Sequence, residues 1–145
     1  SAPPYWGMCR HQPDLMIVVA IIGVLSAIAV PKFAELIRKS NEGFTKGSLG
    51  AVRSSLSIHY GDLEGEYPYH PVALTAGGKY LEALPPAKTP NYHADSNRVR
   101  LVASVAGLTD EGGWAFNSDP ASPNWGTFYV NCTHTDTKGG AWSAY

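Results

Sequence analysis

The chain has 145 residues, formal net charge −1, 44% hydrophobic and 16% charged residues, and two cysteines, Cys9 and Cys132. That length supports one ordinary domain and argues against two independent cores, while two cysteines exclude a disulfide framework. Near-zero charge argues against a nucleic-acid binder that works through a broad basic field. These averages conceal a segregated chain. Leu15 to Val30 is sixteen residues without a charge, eleven of them large aliphatics or Met. Residues 1–31 are neutral, residues 32–53 carry five basic against two acidic side chains (+3), and residues 54–145 carry five against nine (−4). Such opposition favours attraction between copies, weakened by exposure and salt.

Residues 1–13 form an atypical amino-terminal segment. The apolar run that follows reaches the ~20 residues needed to cross a bilayer when Pro31, Phe33 and Ala34 are counted and Lys32 snorkels. Ala27-Ile28-Ala29 fits the small-residue pattern of a secretory cleavage site. The central helix of a soluble domain is a second reading. It requires burial on every face, and the rest of the chain is too polar and loop-rich to wrap it. The third reading is a segment that lies first in a membrane and then in a core of many subunits. Leu15, Ile17, Val18, Ile21, Ile22, Leu25 and Ile28 are then the residues of that core. Eleven large side chains at ~1.5–3 kcal/mol each amount to roughly 15–30 kcal/mol of burial.

Beyond Pro31 the helical pattern continues. Phe33, Ile37, Phe44, Val52, Leu56 and Tyr60, with Leu36 alongside, form one amphipathic stripe. The helix therefore covers residues 14–60, with 14–31 the apolar half and 32–60 an amphipathic stem, a rod of roughly 70 Å. Two places loosen it. Gly23 to Pro31 combines a flexible glycine with a missing backbone donor, and Gly43, Gly47 and Gly50 each cost up to ~1 kcal/mol against Ala. Residues 61–97 are a long Gly- and Pro-punctuated connection with one short helical turn near Tyr80–Leu84. Residues 98–145 hold strand-like runs at Arg98–Val105, Gly113–Asn117 and Thr127–Asn131, the last two forming a hairpin, and then a polar tail. The expected fold is α+β: a long amino-terminal helix whose second half packs on a small antiparallel sheet.

Asp14-Leu-Met-Ile-Val-Val-Ala-Ile-Ile-Gly-Val-Leu-Ser-Ala-Ile-Ala-Val-Pro-Lys-Phe33 resembles the amino-terminal helix of type IV pilins and type II secretion pseudopilins. Lys79-Tyr-Leu-Glu-Ala-Leu-Pro-Pro86 is similar to the αβ-loop of major pseudopilins. The resemblance implies an S-shaped helix that anchors the subunit in the inner membrane, later packs in a filament core, and is unwound over Gly23–Pro31. The chain departs from the family at its processing site. Cys9 stands at the position of the usual Gly, Arg10 at that of the aromatic first residue, and Asp14 at that of the Glu, preceded by Pro13. In the family, the equivalent acid pairs with a neighbour's terminal amine during docking. Here Arg10 or His11 takes that part toward Asp14. Asp14 is also a natural helix cap, and the two roles are compatible.

No nucleophile elbow, phosphate loop or paired-carboxylate motif stands out, so no enzyme activity is expected. His93, His134 and Cys132 lack zinc-ligand spacing, and no metal site is expected from them. No cofactor is expected, except that Asp110, Glu111 and Asp119 offer calcium ligands of the sort borne by major pseudopilin heads, in a different motif. Asn131-Cys132-Thr133 matches a glycosylation sequon. Members of the family often close a carboxy-terminal loop with a disulfide; with Cys132 the one cysteine of the head, the resemblance implies that this loop is absent. The sixteen aromatic residues are read as core and interface material.

The resemblance implies a structural subunit of a helical extracellular filament, a type IV pilus. Its partners are copies of itself in a homopolymer, the inner-membrane pilus or secretion machinery, and membrane lipid before assembly, with no nucleic acid. It resides in the inner membrane and then on the bacterial surface. The alternatives are the major pseudopilin of a type II secretion system, a periplasmic piston, and a bitopic membrane protein with a small binding domain.

Overall fold

A computed structural model describes residues 11–145; Cys9 and Arg10 lie outside the described residues. One helix, α1, runs from His11 to Asp62. Backbone contacts divide the chain into two units, which meet in sequence between Arg38 and Lys39. The first unit is helical throughout its described part.

The expected unwinding is not seen in the isolated subunit: Gly23 and Pro31 both lie in continuous α-helix. Pro31 removes one backbone donor from a helix that propagates cooperatively on both sides of it, and that single loss does not break the element.

The second unit, residues 39–145, holds the core. Three short strands follow α1: β1 (Val99–Val102), β2 (Trp114–Asn117) and β3 (Phe128–Val130). They form one sheet in the order β1-β2-β3. The expected antiparallel pairing holds for β2 and β3, with Phe116 opposite Phe128. β1 instead runs parallel to β2, Val99 beside Trp114 and Val102 beside Asn117, so the sheet is mixed. The reason is the connection. Residues 103–113, with a 3-10 turn at Val105–Gly107, carry the chain back to the starting end of β1 before β2 begins, as a parallel pair requires.

Side-chain alternation along the sheet makes two clusters. Trp114, Phe116, Phe128 and Val130 face Leu49, Val52 and Leu56 of α1, joined by Leu74, Leu84, Ala87, Cys132 and Trp142. Ala115 and Tyr129 pack with Val102 and Leu108 in the other. β2 is therefore buried on all four residues, which suits a central strand.

The expected helix stripe is only partly the buried one. Val52 and Leu56 are in the core, whereas Phe33, Leu36, Ile37, Phe44 and Tyr60 are exposed. The buried face reads Glu42, Thr45, Leu49, Val52, Leu56, His59, at the spacing of a helical face but half polar. In the connection, 3-10 structure lies at Pro71–Gly78, kinked at Ala76–Gly77, and not at Tyr80–Leu84. His70 accepts the Val72 N–H at 3.2 Å and Pro71 opens the first turn, a combination that starts the element early. The Tyr80–Leu84 stretch lies against the core: Leu84 is buried, and Tyr80 and Leu81 pack against it. The Pro85 carbonyl then accepts the indole N–H of Trp114 at 2.7 Å. Gly126, at φ +83°, lies under the Tyr67 ring; a Cβ there would sit 2.2 Å from it.

Replacing Leu56 with Ala should lower stability by about 3 kcal/mol through lost transfer energy and a residual cavity. Replacing exposed Ile58 with Ala should change it by less than ~0.5 kcal/mol. Urea denaturation followed through the buried Trp114 and Trp142 checks both.

Candidate functional site

Three features carry the functional possibilities. The first is the apolar segment. Leu15, Ile17, Val18, Ile21, Ile22, Leu25 and Ile28 are all exposed, between 53% and 68%. These seven share one broad face of about 160°, and Met16, Val19, Val24 and Val30 of the same run carry the apolar surface round the other side. The helix is long and apolar enough to cross a membrane, and no residue of the qualifying window is buried. Asp14 falls in the first turn of α1, since the helix starts at His11, so it meets the helix dipole favourably without occupying the cap. Arg10, its expected partner, lies outside the described residues. Around Gly23, a Cβ would meet nothing within 4 Å, so a neighbouring helix has room to approach.

The second feature is the polar side of the helix within residues 39–145. Several polar residues there answer a loop. The Glu42 carboxylate accepts the Thr137 N–H at 3.1 Å and the Thr137 hydroxyl at 2.5 Å. The Thr45 hydroxyl accepts the Lys88 N–H at 2.8 Å and donates to the Lys88 carbonyl at 2.6 Å. Arg53 donates to the Phe128 carbonyl at 2.8 Å and to the Tyr145 carbonyl. The Asp136 side chain is fully buried and gathers four donors: Lys46 Nζ at 2.5 Å, the Tyr145 hydroxyl at 2.6 Å, and the N–H groups of Lys138 and Gly140, each at 2.9 Å. Burial opposes the Asp136 charge, but these hydrogen bonds outweigh it and hold the carboxyl well below the usual carboxylate range. Lys46 also lies over the Tyr145 ring, 4.2 Å from its centre. The tail is thus closed by charge-assisted hydrogen bonds.

The third feature is a cluster that sequence spacing does not signal. His93 in the connection, Asp110 between β1 and β2, and Cys132 and His134 after β3 bring their ligand atoms within 4.8 Å of one another. Asp110 Oδ1 lies 3.2 Å from His93 Nε2 and 3.3 Å from His134 Nδ1, and it accepts the Thr133 N–H at 2.8 Å. Cys132 Sγ is 3.5 Å from the same His134 nitrogen. Because Cys132 and Asp110 both meet Nδ1, the three do not form a proton relay, which needs the two imidazole nitrogens to face opposite partners. Burial pushes the Cys132 thiol up to about 11, away from nucleophile chemistry.

The expected calcium ligands part company. Asp110 belongs to this cluster, Glu111 contacts Arg100 and Thr109, and Asp119 accepts the Ala121 N–H. The sequon asparagine, Asn131, is buried, with its side-chain oxygen on the N–H groups of Thr109 and Asp110 and its amide on the Thr109 hydroxyl. In the fold it is closed to glycan transfer.

No protein-family model matches the chain, and no solved structure matches it significantly. Curated relatives do. The chain is 33% identical over 75 residues to fimbrial protein EcpC of Eikenella corrodens, covering 49% of this chain and 48% of that protein. It is 44% identical over 45 residues to the type IV narrow pilus major component PilA5 of Thermus thermophilus (31% and 39%). It is 40% identical over 55 residues to the type IV major alpha-pilin of Moraxella bovis (38% and 33%). The match spans less than half the length of each relative.

Asp136 makes stability fall in acid. Its folded carboxyl holds a proton less readily than the ~3.9 of an unfolded chain. Below about pH 4 the unfolded state therefore binds more protons, and stability drops as pH falls. Asp110, lowered chiefly by the Thr133 N–H, acts in the same sense. Asp136→Asn should cost about 2–4 kcal/mol at pH 7 and flatten the acid limb of a stability–pH profile measured by denaturation.

Proposed function

We propose that this chain, a member of the type IV pilin family by its amino-terminal helix, is the structural subunit of a helical extracellular filament. One observation carries the reading: an all-round apolar helix with no buried residue from Leu15 to Val30. Lipid of the inner membrane covers it before assembly, and copies of the same helix cover it afterwards. The names of the three curated relatives support this assignment. Asp14 sits at the lipid-buried end and guides docking, because a carboxylate there costs several kcal/mol until it finds a cation. Arg10 of a neighbouring copy supplies that cation, and the inner-membrane assembly machinery delivers the subunit. Local unwinding between Gly23 and Pro31 lets the segment stretch and repack in the filament. No catalytic step forms part of this role.

The major pseudopilin of a type II secretion system is the second reading, and the Lys79–Pro86 segment favours it. Lys79 and Tyr80 both reach Asp62 at the end of α1, and the Tyr80 carbonyl faces Ser55, so this loop is bound to the helix.

Ile21→Lys places a charge in the apolar run at a cost of roughly 3 kcal/mol per subunit in lipid. It should abolish surface filaments seen by electron microscopy while residues 39–145 keep their fold by circular dichroism. Asp14→Ala and Asp14→Asn should each reduce filament number at least tenfold. Normal filaments with both would remove the docking role. Loss of secretion on gene deletion, with no surface filament, would favour the pseudopilin.

A further inference from the structure

The cluster of His93, Asp110, Cys132 and His134 does not belong to the filament role, and its geometry asks for an occupant. Three of its six donor separations are 3.2, 3.3 and 3.5 Å, and all four donor atoms lie within 4.8 Å of one another. In a tetrahedral site with metal–nitrogen and metal–oxygen bonds of ~2.0–2.1 Å and a metal–sulfur bond of ~2.3 Å, ligand atoms stand roughly 3.3–3.6 Å apart. The nitrogen and oxygen atoms sit near the lower figure and the sulfur–nitrogen pair near the upper one. Hydrogen bonding alone explains the set poorly. Two imidazole nitrogens lie 3.2 and 3.3 Å from one carboxylate oxygen, longer than the ~2.7–2.9 Å of charge-assisted bonds, and a thiol is turned to the same place.

We propose that these four side chains form a structural site for a zinc-class divalent cation. The donor set is two imidazole nitrogens, one thiolate and one carboxylate, which suits zinc or cobalt; calcium takes six to eight oxygens and has one carboxylate here. The surroundings hold the ligands in place. Tyr92 stacks on His134 at 4.1 Å and 12°, fixing the ring so that Nδ1 faces Cys132 and Asp110. Buried Asn131 grips the backbone of Thr109 and Asp110. Gly112, at φ +80°, passes so close to His93 that a Cβ would stand 2.7 Å from the histidine Cβ. Cys132 is wholly buried and the His93 side chain is 15% exposed, while Asp110 and His134, at 34% and 39%, form the open side through which an ion can enter.

The function is stapling. The ligands come from three irregular segments: the connection before β1, the crossover between β1 and β2, and the tail after β3. Joining them stabilises a small head whose strands are short, as metals do in other small folds.

The purified full chain in detergent, titrated with Co²⁺ and then Zn²⁺, tests this. One cobalt should bind with the intense visible absorption of a tetrahedral ion and a thiolate charge-transfer band, and zinc should displace it. Cys132→Ser should lose the charge-transfer band and Cys9→Ser should keep it. His134→Gln is at a partly exposed position that leaves the fold intact, and it should weaken binding on the order of 100-fold. Zinc at a hundredfold excess over its dissociation constant should raise the unfolding midpoint by roughly 10 °C. An octahedral cobalt spectrum, a band that survives in Cys132→Ser, binding of Ca²⁺ in place of Zn²⁺, or an unmoved midpoint would overturn the proposal.

Discussion

The head of this protein depends on one helix face that is half polar. Three strands of three or four residues bury too little to stand alone, and most of the chain around them is loop. Loops carry backbone donors and acceptors that cannot be buried unpaired. Leu49, Val52 and Leu56 of α1 cover the aromatic side of the sheet, while Glu42, Thr45, Arg53 and His59, one or two turns away, bond the backbone of the surrounding segments. Apolar contact supplies the driving force, and the polar side chains on the same helix decide which loops lie where. An all-leucine face would bury as much surface and leave Thr137, Lys88 and Glu66 without those partners.

This division explains what could be read from the sequence. The apolar run, the helix limits to within a few residues and the three strands were legible because each is written in local periodicity. So were Val52 and Leu56. Glu42, Thr45 and His59 were not, because a polar residue at helical spacing looks like a solvent face until its loop partner is known. Phe33 and Ile37 fall in the same amphipathic stripe for the converse reason: periodicity identifies an apolar face and not what covers it. The parallel pairing of β1 with β2 was illegible too. Strand direction is set by a crossover whose eleven residues hold no regular pattern except a single 3-10 turn. The cluster at residues 93, 110, 132 and 134 is assembled from three loops, and only Cys132 and His134 are near in sequence.

The apolar half of α1 obeys different physics. In water its exposed aliphatic side chains are worth roughly 15–30 kcal/mol of burial, but a subunit that starts in lipid has already gained that energy. In the proposed role, moving from bilayer to filament core exchanges one apolar surrounding for another. That proposal then needs close helix packing, together with a partner for Asp14, the one charge in the stretch from Asp14 to Pro31, to favour the filament. Gly23 and small Ala20, Ala27 and Ala29 suit close packing, since small residues let helices approach. The hydrophobic effect then acts as a barrier to release into water and not as the force that selects a neighbour.

The same logic of selecting partners by polar groups recurs at the tail. Residues 132–145 have almost no regular structure, yet they are held at both ends. Asp136 ties the far end to Lys46 on α1, and Cys132 and His134 tie the near end to His93 and Asp110. The first tie satisfies itself: a buried carboxylate with four donors needs nothing more. The second does not, because its donors and acceptors are mismatched. Two imidazoles, a carboxylate and a thiol can share protons only in part, and their spacing is wider than good hydrogen bonds require. The proposed cation resolves that mismatch in one step by accepting a lone pair from each of the four side chains. On that proposal, the tail is clamped ionically on one side and by a metal on the other.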